Sequence, residues 1–240
     1  AWPAKKQKEI AHRYMLGLYK ILENITSNFP NILFESCSGG GGRFDGGMLY
    51  YMPQTWTSDD TDAIERLMIQ EGTSLVYPTS SMGSHVSAVP NHQVHRITPL
   101  NTRGVVAMAG SFGYELDVTK MNEEEKEEVK KQVEFYKNIR RTVQFGDLYR
   151  LKSSFDSNEA AWMNLSKDGK EVVVSYVKKY AEANVIPRRL KVKALDENSL
   201  YEVIETGEVF GGDELMYIGL EIGELMGDYQ AKNWTLRKVD

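Results

Sequence analysis

Residues 33–45 of the 240-residue chain read LFESCSGGGGRFD, and residues 54–62 read QTWTSDDTD. Each stretch begins with residues suited to a short β-strand and continues directly into flexible, polar or acidic residues. Barrel strands deliver functional groups to a pocket in this way, because the loops that follow the strands meet at one end of the sheet. We therefore expect the two stretches to form a single site.

Strands and helices alternate around these two stretches. Apolar residues at helical spacing predict helices over 5–28, 61–71, 99–109 and 122–141, with a short helix or turn over 45–52. Apolar runs predict strands over 32–37, 55–57, 74–77 and 111–116. The alternation predicts an α/β fold with a parallel sheet. Four strands cannot close an eight-stranded barrel, so we expect about the last four strands of a (β/α)8 barrel, with the first strands upstream of Ala1.

The pattern changes after Gly146 to short alternating runs. These predict strands over 161–165, 171–180, 190–194, 200–205, 214–220 and 234–239. Asp168 and Gly169 lie between two of the runs and form a strong hairpin-turn signal. The sequence therefore predicts two domains: half of a catalytic barrel over 1–146, and an antiparallel, sandwich-like β domain over 147–240.

Composition excludes several classes of function. The formal charge is −5 and the basic residues are scattered, so we expect no nucleic-acid partner. The single cysteine, Cys37, rules out an intrachain disulfide and a cysteine-rich zinc site. No segment has the roughly 20 apolar residues of a membrane span, and no secretion signal opens the chain. These features predict a cytoplasmic protein without membrane contacts.

The glycine run at 39–42 removes four side chains where the first site strand ends. The backbone can therefore adopt positive φ angles, and a ligand can approach it closely. A phosphate loop, a flexible turn and a close-packed neutral ligand all fit, although the Gly-Lys-Ser/Thr of a phosphate loop is absent. Cys37 is either a nucleophile or a small buried residue that lines the pocket.

Asp59, Asp60 and Asp62 form the densest acidic cluster in a site-like context, directly after Trp56. Three interpretations are open. Carboxylates can cap the following helix, and Asp62 with Glu65 has the spacing of a capping pair. They can bind a hard cation, although the spacing does not continue into a calcium loop. One can also serve as proton donor and acceptor in glycosidic bond cleavage, with Trp56 as an apolar wall against a sugar.

Three histidines, His85, His92 and His95, fall in a loop predicted over 78–96 that is rich in proline, serine, glycine and histidine. Their spacings of seven and three residues do not match a helical pair of metal ligands. A loop histidine is more often solvated or bonded to a neighbour. We predict no metal site.

The two motifs closely resemble those of the glycoside hydrolase family 36 alpha-galactosidases. Similarity continues through residues 11–19, 101–104 and 227–230, and so covers essentially the whole chain. The resemblance implies a retaining alpha-galactosidase with an N-terminal β domain, a catalytic (β/α)8 barrel and a C-terminal β domain. It also implies an α-galactoside substrate and neither metal nor cofactor.

Site residues follow from the same resemblance. The acid/base aspartate of the Trp-x-Ser-Asp-Asp motif is Asp59, with Asp60 as its nearest rival. The galactose pocket of the family uses the motif cysteine, glycines and tryptophan, which here are Cys37, Gly39, Gly40 and Trp56.

One catalytic group has no counterpart in the chain. The family's nucleophile is an aspartate in a Lys-Trp-Asp motif, which does not occur in the 240 residues and is expected upstream of Ala1. Retaining cleavage needs two carboxylates about 5 Å apart. We therefore expect a complete enzyme, a homo-oligomer, to hydrolyse terminal α-galactosides such as melibiose and raffinose, and the segment by itself to be inactive. The alternative is a non-catalytic module for galactoside binding or assembly.

Overall fold

The N-terminal part of the chain forms a parallel sheet with helices. The structure is a computed structural model that describes residues 3–184 and 186–239. The strands of this sheet are β1 (Glu35–Ser36), β2 (Gln54–Trp56), β3 (Met82–Ser87) and β4 (Ser111–Glu115). The helices are α1 (Ile10–Asn28), α2 (Gly46–Tyr51), α3 (Ala63–Ser74), α4 (Leu100–Ala107) and α5 (Glu123–Phe145).

All four strands run parallel in the order β1-β2-β3-β4, so their carboxyl ends lie along one edge. Glu35 lies opposite Gln54, and Trp56 lies opposite Gly83. Because the order in space equals the order in the chain, the loops after β1 and β2 are neighbours. This arrangement brings the glycine run and the acidic cluster together.

The two faces of this sheet differ in polarity. One face is buried beneath helices: Val86 is fully buried, and Ser84 Oγ donates to Gln70 Oε1 on α3 at 2.6 Å. The opposite face, which we call the open face, has large side chains that are partly buried or exposed, and only its small residues Gly83 and Ser87 are buried on β3. It carries Glu35, Gln54, Trp56, His85 and Glu115. In a closed barrel such a face would line the interior.

The strand predicted over 74–77 is wrong, and β3 lies instead within the predicted 78–96 loop. Residues 74–77 continue the last turn of α3, where Leu75 N–H donates to Gly72 O and Tyr77 N–H to Thr73 O. The sequence of β3, MGSHVS, contains only two large apolar residues, because its open-face positions are Gly83, His85 and Ser87. Hydrophobicity therefore does not reveal this strand.

The C-terminal part forms a six-stranded antiparallel sheet in the order β10-β9-β12-β7-β6-β5, beside a two-stranded sheet of β8 and β11. The strands are β5 (Asp147–Lys152), β6 (Glu159–Leu165), β7 (Glu171–Lys178), β8 (Arg189–Leu190), β9 (Leu200–Val203), β10 (Glu208–Gly211), β11 (Leu220–Glu221) and β12 (Gln230–Val239). The predicted hairpin at Asp168-Gly169 is confirmed, since it joins β6 to β7 and Gly169 has φ +72°. A parallel sheet with helices followed by an antiparallel sheet agrees with the prediction.

The strand predicted over 214–220 is wrong in its greater part. Helix α6 (Gly212–Tyr217) occupies these residues, with Asp213 and Glu214 in its first turn, before β11 begins at Leu220. Acidic residues at a helix start are favourable because they oppose the positive end of the helix dipole. Leu215 is fully buried and anchors α6 on the core of the antiparallel sheet.

The two sheets share a core through α3 and α4. Asn101 Nδ2 donates to Ala231 O at 2.9 Å, and Thr102 Oγ1 donates to Tyr229 O at 2.6 Å. Apolar residues from both sides close the junction: Ala63, Ile64, Leu67, Val105, Val106, Ala160, Val177 and Ala231. The antiparallel sheet thus braces α3, which follows the acidic cluster, and α4, which follows the loop after β3. Within the described ranges, no helix has the length and apolar character needed to cross a membrane.

We expect the purified chain to self-associate. In the four-stranded sheet, β1 and β4 each have one neighbouring strand, and unpaired strand edges recruit other chains. Apolar side chains in this part of the chain are exposed as well: Leu33, two residues before β1, is 89% exposed and Ile21 on α1 is 58% exposed. Sedimentation should give a mass above that of the monomer. The double change Ile21→Lys with Leu33→Lys should lower the measured mass. If the unchanged chain is a monomer at every concentration, the expectation is wrong.

Candidate active site

The loop after β1 is shaped by three successive glycines with positive φ. Gly39, Gly40 and Gly41 have φ angles of +58°, +73° and +87°. A Cβ on Gly40 would lie 2.7 Å from Ser58 Cα and 2.8 Å from Asp59 N. Such distances are too short for any side chain, so only glycine at position 40 lets the two site loops touch. The expectation that both stretches form one structural unit is therefore supported by direct backbone packing.

Cys37 opens the glycine loop directly after β1. Its side chain is exposed, so the interpretation of Cys37 as a small buried residue is wrong. The sequence could not settle this point, because burial at a strand end depends on what lies across the sheet. Exposure leaves Cys37 accessible beside Gly39 and Gly40 at the carboxyl edge.

Hydrogen bonds shape the acidic loop after β2 and distinguish its aspartates. Ser58 Oγ accepts from Asp60 N–H at 3.1 Å, and Asp60 Oδ1 accepts from Asp62 N–H at 2.9 Å. Asp62 is buried and caps α3, since its Oδ1 accepts from Ile64 N–H at 3.0 Å and from the N–H of the next residue. Capping thus accounts for Asp62, and turn formation accounts for Asp60.

Asp59 differs from its neighbours. It is exposed at the carboxyl edge of the sheet, and its carboxylate forms no hydrogen bond or ion pair with residues 3–184 or 186–239. A carboxylate that is not used to stabilise the loop is free to contact a ligand and to exchange a proton.

Arg96 ties the loop after β3 to the start of α3. Its guanidinium contacts the Asp62 carboxylate and lies 3.3 Å from Glu65 Oε1. Burial works against the charge of Arg96, but Asp62 and Glu65 outweigh this effect and raise its pKa. Its guanidinium also lies 5.5 Å from the ring centre of Tyr229 in the C-terminal part. The acidic loop is therefore coupled to both the β3 loop and the antiparallel sheet.

We expect Asp62→Ala to lower the free energy of unfolding by about 3 kcal/mol, because it removes a helix cap and leaves Arg96 without its buried partner. Glu65→Ala is the matched control, since Glu65 is the more exposed carboxylate on Arg96 and should cost at most about 1 kcal/mol. Urea denaturation followed by circular dichroism measures both. If both variants lose the same free energy of unfolding, the buried pair of Asp62 and Arg96 adds nothing to stability.

Trp56 ends β2 on the open face, and its ring is contacted by other side chains. The imidazole of His85 stacks on it at 4.7 Å with an interplanar angle of 21°, and the guanidinium carbon of Arg66 lies 4.4 Å from its centre. His85 Nδ1 is also 3.8 Å from Glu115 Oε2. Protein groups therefore occupy part of the surface that the sequence assigned to a sugar.

His85 lies on strand β3, and its predicted position in a loop with His92 and His95 is wrong. The latter two are exposed in the loop after β3. In the part of the chain that the structure describes, no three His, Cys, Asp or Glu side chains are arranged to hold a metal ion. Sequence reasoning missed Arg66, Arg96 and the strand position of His85, because none of them has a local motif.

Two family models match the chain. One, described as Melibiase, matches residues 1–146, and another, described as Glycosyl hydrolase family 36 C-terminal domain, matches residues 159–236. The chain belongs to the melibiase family. The resemblance to family 36 alpha-galactosidases is thereby confirmed, and the two matches fall on the parallel and the antiparallel part of this melibiase chain.

Alpha-galactosidase AgaA of Geobacillus stearothermophilus is 61% identical over 239 residues, which are 100% of this chain and 33% of AgaA. Mel36A of Lactobacillus acidophilus is 54% identical over 99% of this chain and 32% of its own length. A crystal structure of an AgaA variant in complex with raffinose superimposes with a TM-score of 0.96 at 60% identity, covering 100% of this chain and 33% of AgaA. The chain thus spans about a third of the length of the curated relatives it matches.

Proposed function

We propose that this melibiase chain serves in a retaining alpha-galactosidase that hydrolyses terminal α-galactosides such as melibiose and raffinose. One observation carries the proposal: Asp59 is exposed and unbonded among the described residues, on a loop that packs against the glycine loop at the carboxyl edge of a parallel sheet. Relatives 61% and 54% identical over essentially the whole chain are alpha-galactosidases.

Asp59 acts as the acid and then as the base. In the first step it gives its proton to the glycosidic oxygen while the bond from that oxygen to the anomeric carbon breaks and a carboxylate bonds to that carbon. In the second step Asp59 takes a proton from water, which attacks the same carbon and releases the carboxylate. Asp60 is the rival, but its Oδ1 already accepts from Asp62 N–H, so Asp59 is the better candidate.

The attacking carboxylate lies outside these 240 residues, because the family's Lys-Trp-Asp motif does not occur in them. The four parallel strands form the second half of a (β/α)8 barrel, and the chain divides near Gly146 into this half barrel and a β domain. Cys37, Gly39 and Gly40 line the galactose pocket, and Trp56 forms its floor together with His85. The complete enzyme is a homo-oligomer, and the single cysteine fits a cytoplasmic location.

A chimera tests this function. Residues 1–240 replace the matching third of AgaA, to which they are 61% identical over 239 residues. We expect the chimera to release nitrophenol from 4-nitrophenyl α-galactoside and to cleave melibiose. The chain by itself and AgaA without this third should both be inactive, since each lacks one carboxylate of the pair.

Two outcomes would overturn the proposal. A folded chimera without activity would favour the second candidate, a module that binds galactosides or supports assembly without catalysis. Turnover by the purified chain, abolished by Asp59→Asn, would show that both carboxylates lie within these residues.

A further inference from the structure

Arg66 is the buried cation of the candidate site. It lies on α3 with 2% of its surface exposed, directly beneath the acidic loop. Its Nη1 donates to Ser58 O at 3.1 Å, its Nη2 to Gly83 O at 2.8 Å, and its Nε to Gln70 Oε1 at 3.4 Å. One guanidinium therefore connects the loop after β2, the strand β3 and its own helix.

No carboxylate oxygen forms an ion pair with Arg66 within the described ranges. Burial lowers its pKa to about 10, while the carboxylates of Asp60 and Glu115 partly oppose that effect, so Arg66 remains a cation at neutral pH. A buried charge without a directly bonded counter-charge costs folding free energy. An apolar side chain of similar size would avoid this cost, but it would leave Ser58 O and Gly83 O without these donors.

One of the groups that Arg66 bonds, Ser58 O, lies next to Asp59. Ser58 O belongs to the peptide group that joins Ser58 to Asp59, and Gly40 packs on Ser58 Cα and Asp59 N. The guanidinium also lies over the ring of Trp56, two positions before Ser58. The backbone that carries Asp59 is thus fixed by Gly40 and by Arg66, while the Asp59 side chain has no other support among the described residues.

We propose that Arg66 is a positioning residue that holds the Asp59 carboxyl group at the height and angle needed to protonate the glycosidic oxygen. This inference rests on the proposed function of Asp59 as acid/base. Displacing a catalytic group by about 1 Å can cost roughly 100-fold in rate. Loss of the Ser58 contact should therefore act on the steps that need proton transfer more than on the others.

The test uses two substrates in the chimera: melibiose, whose sugar leaving group needs protonation, and 2,4-dinitrophenyl α-galactoside, whose leaving group does not. Arg66→Met should lower kcat/KM for melibiose by about 100-fold and for the dinitrophenyl substrate by less than about tenfold. Arg66→Lys, which can reach one of the two carbonyls, should restore part of the loss. The ratio of the two values does not depend on how much of a preparation is folded.

Arg103→Met is the matched control. Arg103 is also buried, lies on the neighbouring helix α4, and donates to Thr98 O at 2.9 Å and to Ser87 O at 2.7 Å at the end of β3. Burial lowers its pKa as well. Since it has no bond to the acidic loop, its replacement should reduce stability and leave the substrate ratio unchanged.

Asp59→Asn separates the two levels of inference. If it leaves the substrate ratio unchanged, the proposed role of Asp59 is wrong. If Asp59→Asn changes the substrate ratio, the proposed role of Asp59 is supported. If Arg66→Met and Arg103→Met then both keep the substrate ratio of the parent, the positioning role of Arg66 is wrong. A selective loss with Arg66→Met and partial recovery with Arg66→Lys supports the inference.

Discussion

Asp59→Ala in the complete enzyme should lower kcat/KM for melibiose by about 1,000-fold and for 2,4-dinitrophenyl α-galactoside by less than about tenfold. The difference arises because a sugar alkoxide leaves only when its oxygen is protonated, whereas dinitrophenolate leaves as a stable anion. Breakdown of the glycosyl intermediate should then limit the rate for the activated substrate, because no base remains to activate water. Initial rates on both substrates measure the effect.

Azide provides a second readout of the same substitution. A small anionic nucleophile needs no base, so it should accelerate turnover of the activated substrate by Asp59→Ala and yield galactosyl azide. In a double displacement the product should have the α configuration, because the azide attacks the covalent intermediate from the side that water uses. A β product would indicate that Asp59 is the attacking group.

Asp60→Ala is the matched control for Asp59→Ala. It removes an adjacent carboxylate of the same loop, whose Oδ1 accepts from Asp62 N–H. We expect a loss of stability with no preference between the two leaving groups. If Asp60→Ala shows the selective loss and Asp59→Ala does not, their roles are reversed. Equal losses on both substrates for both variants would exclude either residue as the acid.

Gly40→Ala should lower the free energy of unfolding by about 3 kcal/mol, from overpacking together with a strained φ. The new Cβ would lie 2.7 Å from Ser58 Cα and 2.8 Å from Asp59 N, and both contacts are to backbone that cannot rotate away. The loop must shift, so Asp59 and Cys37 should move apart. Urea denaturation measures the first effect, and loss of kcat/KM on both leaving-group classes measures the second.

Gly39→Ala separates the clash from the backbone strain. Gly39 also has a positive φ, +58°, but a Cβ there would meet no atom within 4 Å. Its replacement should cost only about 1 kcal/mol, from the left-handed conformation. If both substitutions have the same cost, the close approach of the two loops is not a source of stability.

Local sequence accounts for the elements that have strong periodicity or a clear stop signal. Helix α5 begins at the capping box of Asn122 and Glu125, and the β6–β7 hairpin turns at Asp168-Gly169, as their sequences predict. Strand β3 could not be predicted, because its open-face residues are polar or lack side chains. The apolar run at 74–77 predicts a strand that does not exist. Apolar residues in this run are exposed instead of buried in a sheet, and Val76 is 76% exposed.

The sequence by itself determined that the glycine run and the acidic cluster follow consecutive predicted strands, and that three aspartates were candidates for the same chemistry. Only the tertiary structure distinguished these aspartates, because backbone amides bond Asp60 and Asp62 and leave Asp59 exposed. It also brought both Arg66 and Gly40 against the Ser58 backbone. These contacts join residues 8 and 18 positions apart, and the contact of Gly40 exists only after the parallel strands have brought the two loops together. Strand periodicity is a local property, whereas the supply of hydrogen-bond partners to a carboxylate depends on the folded chain.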